Sequence, residues 1–527
     1  MAVAQTVSRI GAPRATPASA AHILLANETL RTVYLLGHAQ TSDPAALTDE
    51  RAAKFLLWFA FEGWRRYPHV VFSPAYLAFL AAPMPPCATR LAAYALMSRA
   101  DVRARFKDDL PGFHDWYYAN GAAELGVAPL VSAAERAAHE ANDMNARPHA
   151  ARGDLPGVNV IGFGGNVMGI GEDVRALAAA LGHAGAPRAL VNVSLDDAIG
   201  ASQSHGLEAL CCDRPIFPVN IFALPPFETA RLRVERGPAL FHGRYNIGYW
   251  PWELTTLPEH WRGVFDLVDE IWAPSDFLVD VYRKLTRKPV RLMPPYLNIL
   301  TPEPIDLASY SVEEEDVVFL TMFDFNSFIA RKNPEGAIAA FRRAFPFPGG
   351  EKLIIKTINS HARPDAARRL SELTGGDPRC IIMDRTLTRA QTAGLIVRAD
   401  CLVSLHRAEG FGRVIAEAMA LGVAVISTNW SGSTSFVDAT RGFPVSYKLR
   451  DVAAGEYAFH HGGQWAEPSI EDAIAKLQDA RARLGGDRDM RARARAFVES
   501  AYGLDTVAAA LGERLAAISA ARPDLQI

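Results

Sequence analysis

The sequence predicts an α/β protein with two tandem doubly wound domains that follow a helical appendage. From Val158 onward, short runs of β-branched residues alternate with segments of helical periodicity, which is typical of parallel sheets covered by helices. The alternation breaks once, at a proline-rich stretch, and then restarts. Before Val158, in residues 27–150, the apolar positions recur at helical spacing only. We predict a disordered tail (1–26), the helical appendage (27–150), a first α/β domain (151–300), a second α/β domain (301–500) and a C-terminal helix (501–527) that could pack back on the first domain.

The composition narrows the class of protein. The chain has 527 residues, 49% hydrophobic and 21% charged, and can bury cores for about three domains. A formal net charge of -3 gives no basic excess, which disfavours nucleic acid as the main partner. The five cysteines form neither a CxxC motif nor a Cys/His pattern, so no disulfide framework or zinc site is indicated. These cysteines fit a reducing cytosol.

The N-terminal part of the chain shows no signal for export or membrane insertion. Its run HILLA is too short for the core of a secretion signal, and the richest apolar window, FLLWFAF at 55–61, is too short to cross a bilayer. Contact with a membrane stays open. The aromatic residues in and after this window could form a surface for lipid or a partner, but core packing is the better interpretation because aromatics dominate ordinary cores. They are Phe55, Trp58, Phe59, Phe61 and Trp64.

Twelve apolar runs are the candidate strands of the two α/β domains. The first domain has VNVIGF, ALVNVS, FPVNIF, YNIGYW, DEIWAP and VRLMPP, and the second has VVFLTMF, KLIIKT, CIIMD, CLVSLH, VAVIST and GFPVSY. Between the two sets, PPYLNILTPEP (294–304) contains four prolines and is predicted to be a linker. Open parallel sheets bind ligands outside the carboxyl ends of their strands, so two such domains across a hinge would form one deep cleft.

The stretch HRAEGFGRVIAEAMALG (406–422) carries the clearest chemical signal. CLVSLH is a candidate strand and RVIAEAMAL a candidate helix, so AEGFG is the turn at the cleft end of the strand. Gly410 and Gly412, on either side of Phe411, would let the backbone approach a ligand, and the free N–H groups of the helix start favour an anion such as phosphate. A sugar joined to a phosphate would also suit Glu409, because a carboxylate can accept two hydroxyl hydrogens.

A second carboxylate, Glu417, follows two helical turns later. At 100° per residue it lies beside Val414 and Leu421, at the edge of the apolar stripe, which is a poor place for a merely solvated charge. Contact with a ribose diol would explain this position. The alternatives are that Glu409 caps the following helix and that Glu417 pairs with a nearby arginine, and the spacing alone does not decide between them.

The pair Glu409 and Glu417 within EGFGRVIAEAMALGVAVIST resembles the two-glutamate motif of family-four retaining glycosyltransferases, whose B-type fold has two Rossmann-like domains. Three further stretches match that family in the expected order: GVNVIGFGGNVMGIGEDVRALAAAL, FDFNSFIARKNPEGAIAAFRRAF and GQWAEPSIEDAIAKL. The resemblance covers residues 155–527 and leaves the helical appendage outside it. It implies that Glu409 holds the donor sugar and that Glu417 holds the nucleotide ribose.

The resemblance also implies cations for the donor diphosphate. Lys332, in RKNP, matches a lysine of the family that contacts the diphosphate. The family's arginine usually stands earlier, at the position that Ser327 occupies here, so Arg331 is a candidate substitute. Lys356, at the cleft end of LIIKT, is a third candidate. A surface salt bridge is a better interpretation for Arg331 than for the two lysines.

In the first α/β domain, GGNVMGIG (164–171) joins a strand to a helix and resembles the family's glycine loop near the donor phosphate and the acceptor. Gly169 and Gly171 are the candidate site residues there, and the physics of a helix N-terminus supports an anion at this place. A nicotinamide-binding GxGxxG fingerprint is the competing interpretation, but it would need glycine where Val167 or Val174 stands. A dehydrogenase is therefore disfavoured.

The stretch YNIGYWPWELTTLPEHW ends another candidate strand, at a place where many family members present a histidine. That histidine is not evident here, so no catalytic histidine is assigned. Trp250 and Trp252 could stack on a sugar ring, although packing of both in the core is at least equally plausible. Glu253 could bind acceptor hydroxyls.

The resemblance implies a metal-independent enzyme that moves a sugar from a nucleotide-diphosphate sugar to an acceptor hydroxyl, with retention of configuration and without a cofactor. The implied acceptor is a saccharide or a lipid-linked molecule of surface polysaccharide or glycolipid assembly, and the implied place is the cytoplasm, including the inner face of the cell membrane. Two alternatives stay open: a nucleotide-sugar epimerase of the same architecture, and a non-catalytic sugar-binding or scaffold protein. Intact Glu409, Glu417 and Lys332 argue against the last.

Overall fold

The computed structural model describes residues 19–37, 47–131, 156–165, 169–193 and 207–525, with short gaps at 68–69, 83, 85–86, 88, 108, 348, 485, 487 and 524. The chain divides into two compact units. The helical unit comprises residues 1–149 and 231–238, and the α/β unit comprises residues 150–230 and 239–527.

The described part of the helical unit before residue 131 consists of short helices. They are α1 (Ala20–Ala26), α2 (Glu28–Gly37), α3 (Asp49–Trp58), α4 (Trp64–Arg66), α5 (Pro74–Ala81), α6 (Arg90–Ser98), α7 (Ala100–Arg105), α8 (Leu110–Trp116) and α9 (Ala122–Glu124), with π-helical turns at Phe59–Gly63 and Tyr117–Gly121. Hydroxyl side chains start several of them: Thr48, Ser73 and Thr89 each accept a backbone N–H of the first turn. The prediction of a tail over 1–26 is wrong for its last part, because α1 is capped by Ser19 and covers Ala20–Ala26; residues 1–18 lie outside the described residues.

The aromatic residues of FLLWFAF and its flank pack mainly into the interior of the helical unit. Phe55 is 9% exposed, Phe59 0% and Phe61 6%. Trp58 is half-buried and donates its indole N–H to Glu62 at 3.1 Å. Core packing is therefore confirmed for the three phenylalanines.

Two six-stranded parallel sheets form the α/β unit. The first sheet has the order β2-β1-β3-β4-β5-β6 and the second β12-β11-β10-β7-β8-β9. The strands are β1 (Val158–Gly162), β2 (Arg188–Asn192), β3 (Val219–Ala223), β4 (Tyr245–Tyr249), β5 (Glu270–Ala273), β6 (Val290–Leu292), β7 (Val317–Met322), β8 (Glu351–Thr357), β9 (Cys380–Asp384), β10 (Cys401–Ser404), β11 (Ala424–Thr428) and β12 (Phe443–Val445). Each of the twelve predicted strands is present, and the prediction of two doubly wound α/β domains is confirmed.

Helices cover both sheets, as the alternating pattern requires. The helices from residue 169 onward are α10 (Gly169–His183), α11 (Pro226–Glu235), α12 (Asp276–Leu285), α13 (Ile329–Lys332), α14 (Pro334–Ala344), α15 (Pro364–Thr374), α16 (Arg389–Arg398), α17 (Arg413–Ala420), α18 (Ile470–Arg483), α19 (Arg488–Tyr502) and α20 (Leu504–Ala521), with 3₁₀ turns at Glu259–Leu267 and Ser431–Ser435. Of these, α11 ends in residues 231–235, which belong to the helical unit. Residues 294–304, the predicted linker, form neither helix nor strand. Gly422 follows α17 with a φ of 77°, the left-handed conformation that glycine adopts at helix ends.

An antiparallel hairpin of β13 (Tyr447–Asp451) and β14 (Gln464–Pro468) was not predicted. None of the five residues of β13 is buried, so the strand has no apolar run for a sequence pattern to detect. The twelve residues between the two strands form a long loop, which becomes important at the candidate site.

The last helix, α20, packs against the first sheet. Its residues Val507, Leu511, Leu515 and Ile518 recur at helical spacing and are buried in the same core cluster as strand β1. The final helix is thus part of the first α/β domain, although the chain reaches it from the second.

Candidate functional site

The candidate site lies where β7 and β10, neighbouring parallel strands of the second sheet, reach their carboxyl ends. Several hydrogen bonds join the segments that follow these strands. The backbone N–H of Arg407 donates to the carbonyl of Arg331 at 2.7 Å, the Arg331 guanidinium donates to the carbonyl of Ala408 at 3.0 Å, and the Asn333 amide donates to the carbonyl of Leu405 at 2.9 Å. Sheet topology therefore brings together two motifs that are 77 positions apart in sequence.

The RKNP motif has a local structure that fixes Arg331 and Lys332 at the end of α13. Asn333 adopts a φ of 53°, and its side chain accepts the backbone N–H of Gly336 at 3.2 Å. It thereby ends one short helix and caps the next, and Pro334 supplies the fixed φ that suits the first helical position. The corner directs both cationic side chains toward the turn after β10.

Glu409 is held between these two cations. Its Oε2 atom lies 3.0 Å from Nη1 of Arg331, and its Oε1 atom lies 2.5 Å from Nζ of Lys332. Arg331 is only 6% exposed, so the interpretation of Arg331 as a surface salt bridge is wrong. Helix capping by Glu409 is not observed either, because the N-cap residue of α17 is Gly412.

Arg331, Lys332 and Glu409 form a charged trio, and its electrostatics keep the Glu409 carboxyl ionised. Burial alone would raise the pKa of the Glu409 carboxyl, but Arg331 and Lys332 outweigh burial and hold that pKa well below its usual range. Burial lowers the pKa of Lys332, and the neighbouring charge of Arg331 acts in the same direction, while Glu409 opposes both. Such a site suits an added anion, because a buried ammonium gains from further negative charge.

The turn Gly410, Phe411 and Gly412 is closely packed. Gly412 has a φ of 95°, and a Cβ atom on Gly410 would come within 2.7 Å of the carbonyl oxygen of Trp252 in the first domain. The hydroxyl of Ser275, also in the first domain, donates to the carbonyl of Gly410 at 2.6 Å. Both glycines are therefore required by the backbone. Phe411 is 8% exposed and packs in the apolar core of the second domain.

Glu417 lies on α17 with a side chain that is 20% exposed. Burial raises the pKa of its carboxyl, while Arg413, with Nη1 at 3.9 Å from the Glu417 Oε1, opposes the shift. The alternative of an arginine partner is thus observed as a long ion pair. Arg413 makes its closer contacts with Asp173 of α10.

Lys356 has a different set of neighbours from the trio. Its side chain is buried, its ammonium donates to the carbonyl of Thr357 at 2.8 Å, and the carboxylates of Asp384 and Asp324 are the charges that act on it. Burial lowers its pKa to about 8. Two nearby carboxylates make this environment unfavourable for a diphosphate. The donor-binding role of Lys356 stays a prediction.

The glycine loop of the first domain leads into α10, which begins at Gly169. Gly169 is exposed with open space beside its Cα, and Gly171 is buried in the first turn. Residues 166–168 of the loop lie outside the described residues.

The two tryptophans after β4 are core residues. Trp250 is 0% exposed and Trp252 is 1% exposed. Their indole N–H groups donate to Thr229 and to the carbonyl of Thr256, each at 3.0 Å. Stacking on a sugar ring is therefore ruled out for both in this structure, and the core-packing alternative is the correct one.

Glu253, half-buried, accepts a hydrogen bond from the phenol of Tyr457, a residue of the loop between β13 and β14. Its charge acts on Arg331 and Lys332. Burial, and then the Glu253 charge, raise the pKa of Tyr457 well above its usual value, so this phenol keeps its proton. The carboxylate of Glu253 thus belongs to the same electrostatic environment as the trio.

Two residues of this region, Tyr457 and Arg413, were not predicted from the sequence. No local pattern marks Tyr457, because its contact with Glu253 spans 204 positions and the hairpin itself was not predicted. For Arg413, its position at the start of a predicted helix could have indicated a distant partner. A cation in the first turn of a helix opposes the helix dipole, and this indicates an acidic partner elsewhere in the chain.

Among the described residues, no group of three or more His, Cys, Asp or Glu side chains is arranged to hold a metal ion. In the same described ranges, we find no helix with the length and apolar character that a membrane span needs.

Comparison with known proteins gives one family match and many structural matches. Residues 348–455, which include Glu409 and Glu417, match the family described as glycosyl transferases group 1. Sucrose-phosphate synthase from Thermosynechococcus elongatus is similar with a TM-score of 0.53 at 15% identity, over 70% of this chain and 100% of that chain. HepE from Anabaena, in complex with UDP and glucose, is similar with a TM-score of 0.51 at 14% identity, over 69% of this chain and 100% of that chain. Comparison with curated protein sequences gives no match.

At these identities the two structures establish the fold, and the family match adds an independent finding from the sequence of the second domain. The family match supports glycosyl transfer. The chain therefore has the B-type glycosyltransferase fold, and a segment of its second α/β domain matches the glycosyl transferases group 1 family.

Proposed function

We propose that the protein is a retaining glycosyltransferase that moves a sugar from a nucleotide-diphosphate sugar to an acceptor hydroxyl. The observation that carries this proposal is the trio at the carboxyl ends of β7 and β10, where Glu409 contacts Arg331 at 3.0 Å and Lys332 at 2.5 Å. Glu417 follows in the helix that starts from the same turn. A carboxylate for sugar hydroxyls, cations for a diphosphate and a second carboxylate for ribose are the groups that such a donor needs.

The two cations differ in how firmly they are held, and this suggests different roles. The Arg331 guanidinium donates to the carbonyl of Ala408 and to the hydroxyl of Ser327 as well as pairing with Glu409. Within the described residues, the Lys332 ammonium makes one hydrogen bond, to Glu409. Arg331 thus keeps Glu409 ionised and in place, while Lys332 turns toward the diphosphate when the donor binds. Ser327, at the position of the family's arginine, orients Arg331.

Donor binding then exchanges partners within the trio. When Lys332 moves to the diphosphate, Oε1 of Glu409 is released and accepts hydroxyl hydrogens of the donor sugar. Lys332 and the N–H groups at the start of α17 stabilise the negative charge that develops on the departing diphosphate. The leaving phosphate accepts the proton of the acceptor hydroxyl on the same face of the sugar, which retains the configuration and requires neither a metal ion nor a cofactor.

The acceptor binds on the side of the first domain. Glu253 lies after β4, and its carboxylate acts on the same cations as Glu409. Gly169 leaves open space at the start of α10. We propose that a saccharide or a lipid-linked acceptor of surface polysaccharide or glycolipid assembly places its hydroxyl beside Glu253, in the cytoplasm or at the inner face of the cell membrane.

Thermal stabilisation against UDP-, GDP-, ADP- and dTDP-sugars tests this proposal. A bound donor at 100 times its Kd should add about 2.7 kcal/mol to the free energy of unfolding. Transfer to an added acceptor, with the anomeric configuration of the product read by NMR, then identifies the reaction. Conversion of the donor without an acceptor would indicate the epimerase instead, and binding without turnover would indicate the sugar-binding alternative.

A further inference from the structure

Two acidic residues at the start of α10 bind arginines from the second domain. Oδ1 of Asp173 accepts from Nε of Arg413 at 3.1 Å and also from its Nη2. Oε1 of Glu172 lies 3.0 Å from Nη2 of Arg389. Both arginines act electrostatically on Glu417. Two ion pairs between the domains therefore lie next to Glu417, the carboxylate to which the proposed function assigns the ribose.

Arg413 and Glu417 are four residues apart on α17, the spacing at which two helical side chains meet. Despite this, Nη1 of Arg413 stays 3.9 Å from Oε1 of Glu417, outside hydrogen-bond distance. The guanidinium instead has Nε and Nη2 on Asp173, and its Nη1 donates weakly to the carbonyl of Tyr296 at 3.5 Å. Asp173 thus draws the arginine away from its helical neighbour.

Without Asp173, few acceptors would remain for Arg413. Glu172 acts on Arg413 too, but it already has Arg175 and Arg389 at 3.0 Å each. A cation at the first turn of α17 is also repelled by the helix dipole and favours a carboxylate farther along the helix. Among the described carboxylates that act on Arg413, Glu417 then remains, and an arginine paired with it would occupy the oxygens that ribose hydroxyls need.

We propose that Asp173 is a positioning residue of the donor site: by holding Arg413, it keeps Glu417 free to accept the ribose of the nucleotide. This inference rests on the proposed function, since it assumes the ribose role of Glu417. Asp173 belongs to the first domain and Glu417 to the second. The nucleotide site is therefore complete only when the two domains meet as they do here.

A double substitution distinguishes this role from a merely structural ion pair. The readout is the affinity of the full-length protein for UDP, GDP, ADP and dTDP, measured by calorimetry. Asp173→Asn should weaken binding of the nucleotide that the parent binds by roughly two- to fivefold, because Arg413 then pairs with Glu417. Arg413→Gln alone should stay within about twofold of the parent, and Asp173→Asn/Arg413→Gln should recover to that level.

Asp276→Ala serves as the matched control. Asp276 accepts the hydroxyl of Ser435 at 3.0 Å across the same two domains, but it touches neither Arg413 nor Glu417 in the described structure. This control should retain the parent's affinity. An equal loss in Asp276→Ala would show that any weakened domain contact has the effect, and it would overturn the role of Asp173.

Three other results would overturn the inference. A loss of affinity in Arg413→Gln would mean that Arg413 itself contacts the nucleotide, and this variant decides the matter even if Asp173→Asn does not fold. A double variant as weak as Asp173→Asn would show a structural ion pair only. If the parent binds a nucleotide and Glu417→Gln binds it equally well, the ribose assignment fails and this inference fails with it. If the parent binds none of the four nucleotides, the proposed function itself is contradicted.

Discussion

At the scale of single residues, Arg331 is the clearest case of a role that only the structure reveals. The sequence places it beside Lys332 in RKNP, where a surface ion pair is a reasonable expectation for a charged side chain. In the structure it is buried, and its partners Ala408 and Glu409 are about 77 positions away. Local spacing marked the two glutamates as candidates, and the family resemblance added Lys332. It could not show which cation holds Glu409 firmly, because that depends on which strands are neighbours in the sheet.

Lys356 gives a prediction about stability and pH. Burial lowers its pKa to about 8 in the folded protein, against about 10.4 for a free lysine. Between these values the unfolded chain binds a proton that the folded chain does not, so the contribution of Lys356 to the free energy of unfolding rises with pH in this window. Below pH 8 both states are protonated and the full cost of burying the ammonium is present.

We therefore expect Lys356→Met to be more stable than the parent near pH 7, by up to about 3 kcal/mol, and the difference to shrink as the pH rises from 8 to 10.4. Urea unfolding of both proteins at several pH values measures it. Lys352→Met, on the same strand with Asp316 at 3.8 Å, is the control for the loss of a lysine from this strand. A pH-independent difference between Lys356→Met and the parent would contradict the lowered pKa.

At the scale of elements, the helix α20 and the hairpin β13–β14 show what sequence patterns can and cannot predict. The strands of both sheets were predictable because they are apolar and continuous, and α20 because Leu504–Ala521 has a clear helical face. The hairpin was missed because β13 is not buried and its partner strand starts twelve residues later. Its loop nevertheless brings Tyr457 to Glu253, so the part of the site that depends on the hairpin was missed as well.

The packing of α20 on the first domain makes a prediction about Arg514. This residue pairs with Glu270, whose side chain is fully buried, with Nε at 3.0 Å from the carboxylate. The indole of Trp272 also donates to Glu270, but Arg291 is 3.8 Å away and half-exposed. Removing Arg514 leaves a buried carboxylate with its main counter-charge lost.

Arg514→Met should lower the free energy of unfolding by about 3 to 5 kcal/mol. Arg495→Met is the matched control, since Arg495 forms an exposed ion pair with Glu499 on α19 and should change stability by less than about 0.5 kcal/mol. Denaturant unfolding of the three proteins measures both effects. A loss below 1 kcal/mol in Arg514→Met, similar to the control, would show that α20 is held by its apolar face alone.

At the scale of the whole molecule, the chain combines a helical unit with an α/β unit that contains every candidate donor-binding residue. We expect the helical appendage to serve the acceptor or a membrane and not the chemistry of the donor. A protein that begins near residue 150 should therefore still bind the nucleotide that the full chain binds. Calorimetry on the truncated protein tests this, provided that it unfolds cooperatively. Loss of nucleotide affinity in a folded truncation would show that the helical unit takes part in donor binding.

In the proposed function, groups of the protein itself supply the positive charge that stabilises the diphosphate. Lys332 and the N–H groups at the start of α17 are the groups to which we assign this task. We expect full transfer activity in excess EDTA. Activity that EDTA abolishes and that Mg²⁺ or Mn²⁺ restores would show that the protein groups alone are insufficient.

In the proposed function, Glu409 and Glu417 hold different parts of one donor. The affinity for the free nucleoside diphosphate separates their roles, measured by calorimetry on Glu409→Gln, Glu417→Gln and the parent, each folded at the assay temperature. Glu417→Gln should weaken the binding of the nucleoside diphosphate about 10- to 150-fold, since it loses a charge-assisted hydrogen bond of roughly 1.5 to 3 kcal/mol to the ribose. Glu409→Gln should bind it almost as well as the parent and lose mainly kcat, because its partner is the sugar. Equal losses in the two variants, or no loss in Glu417→Gln, would contradict the assignment.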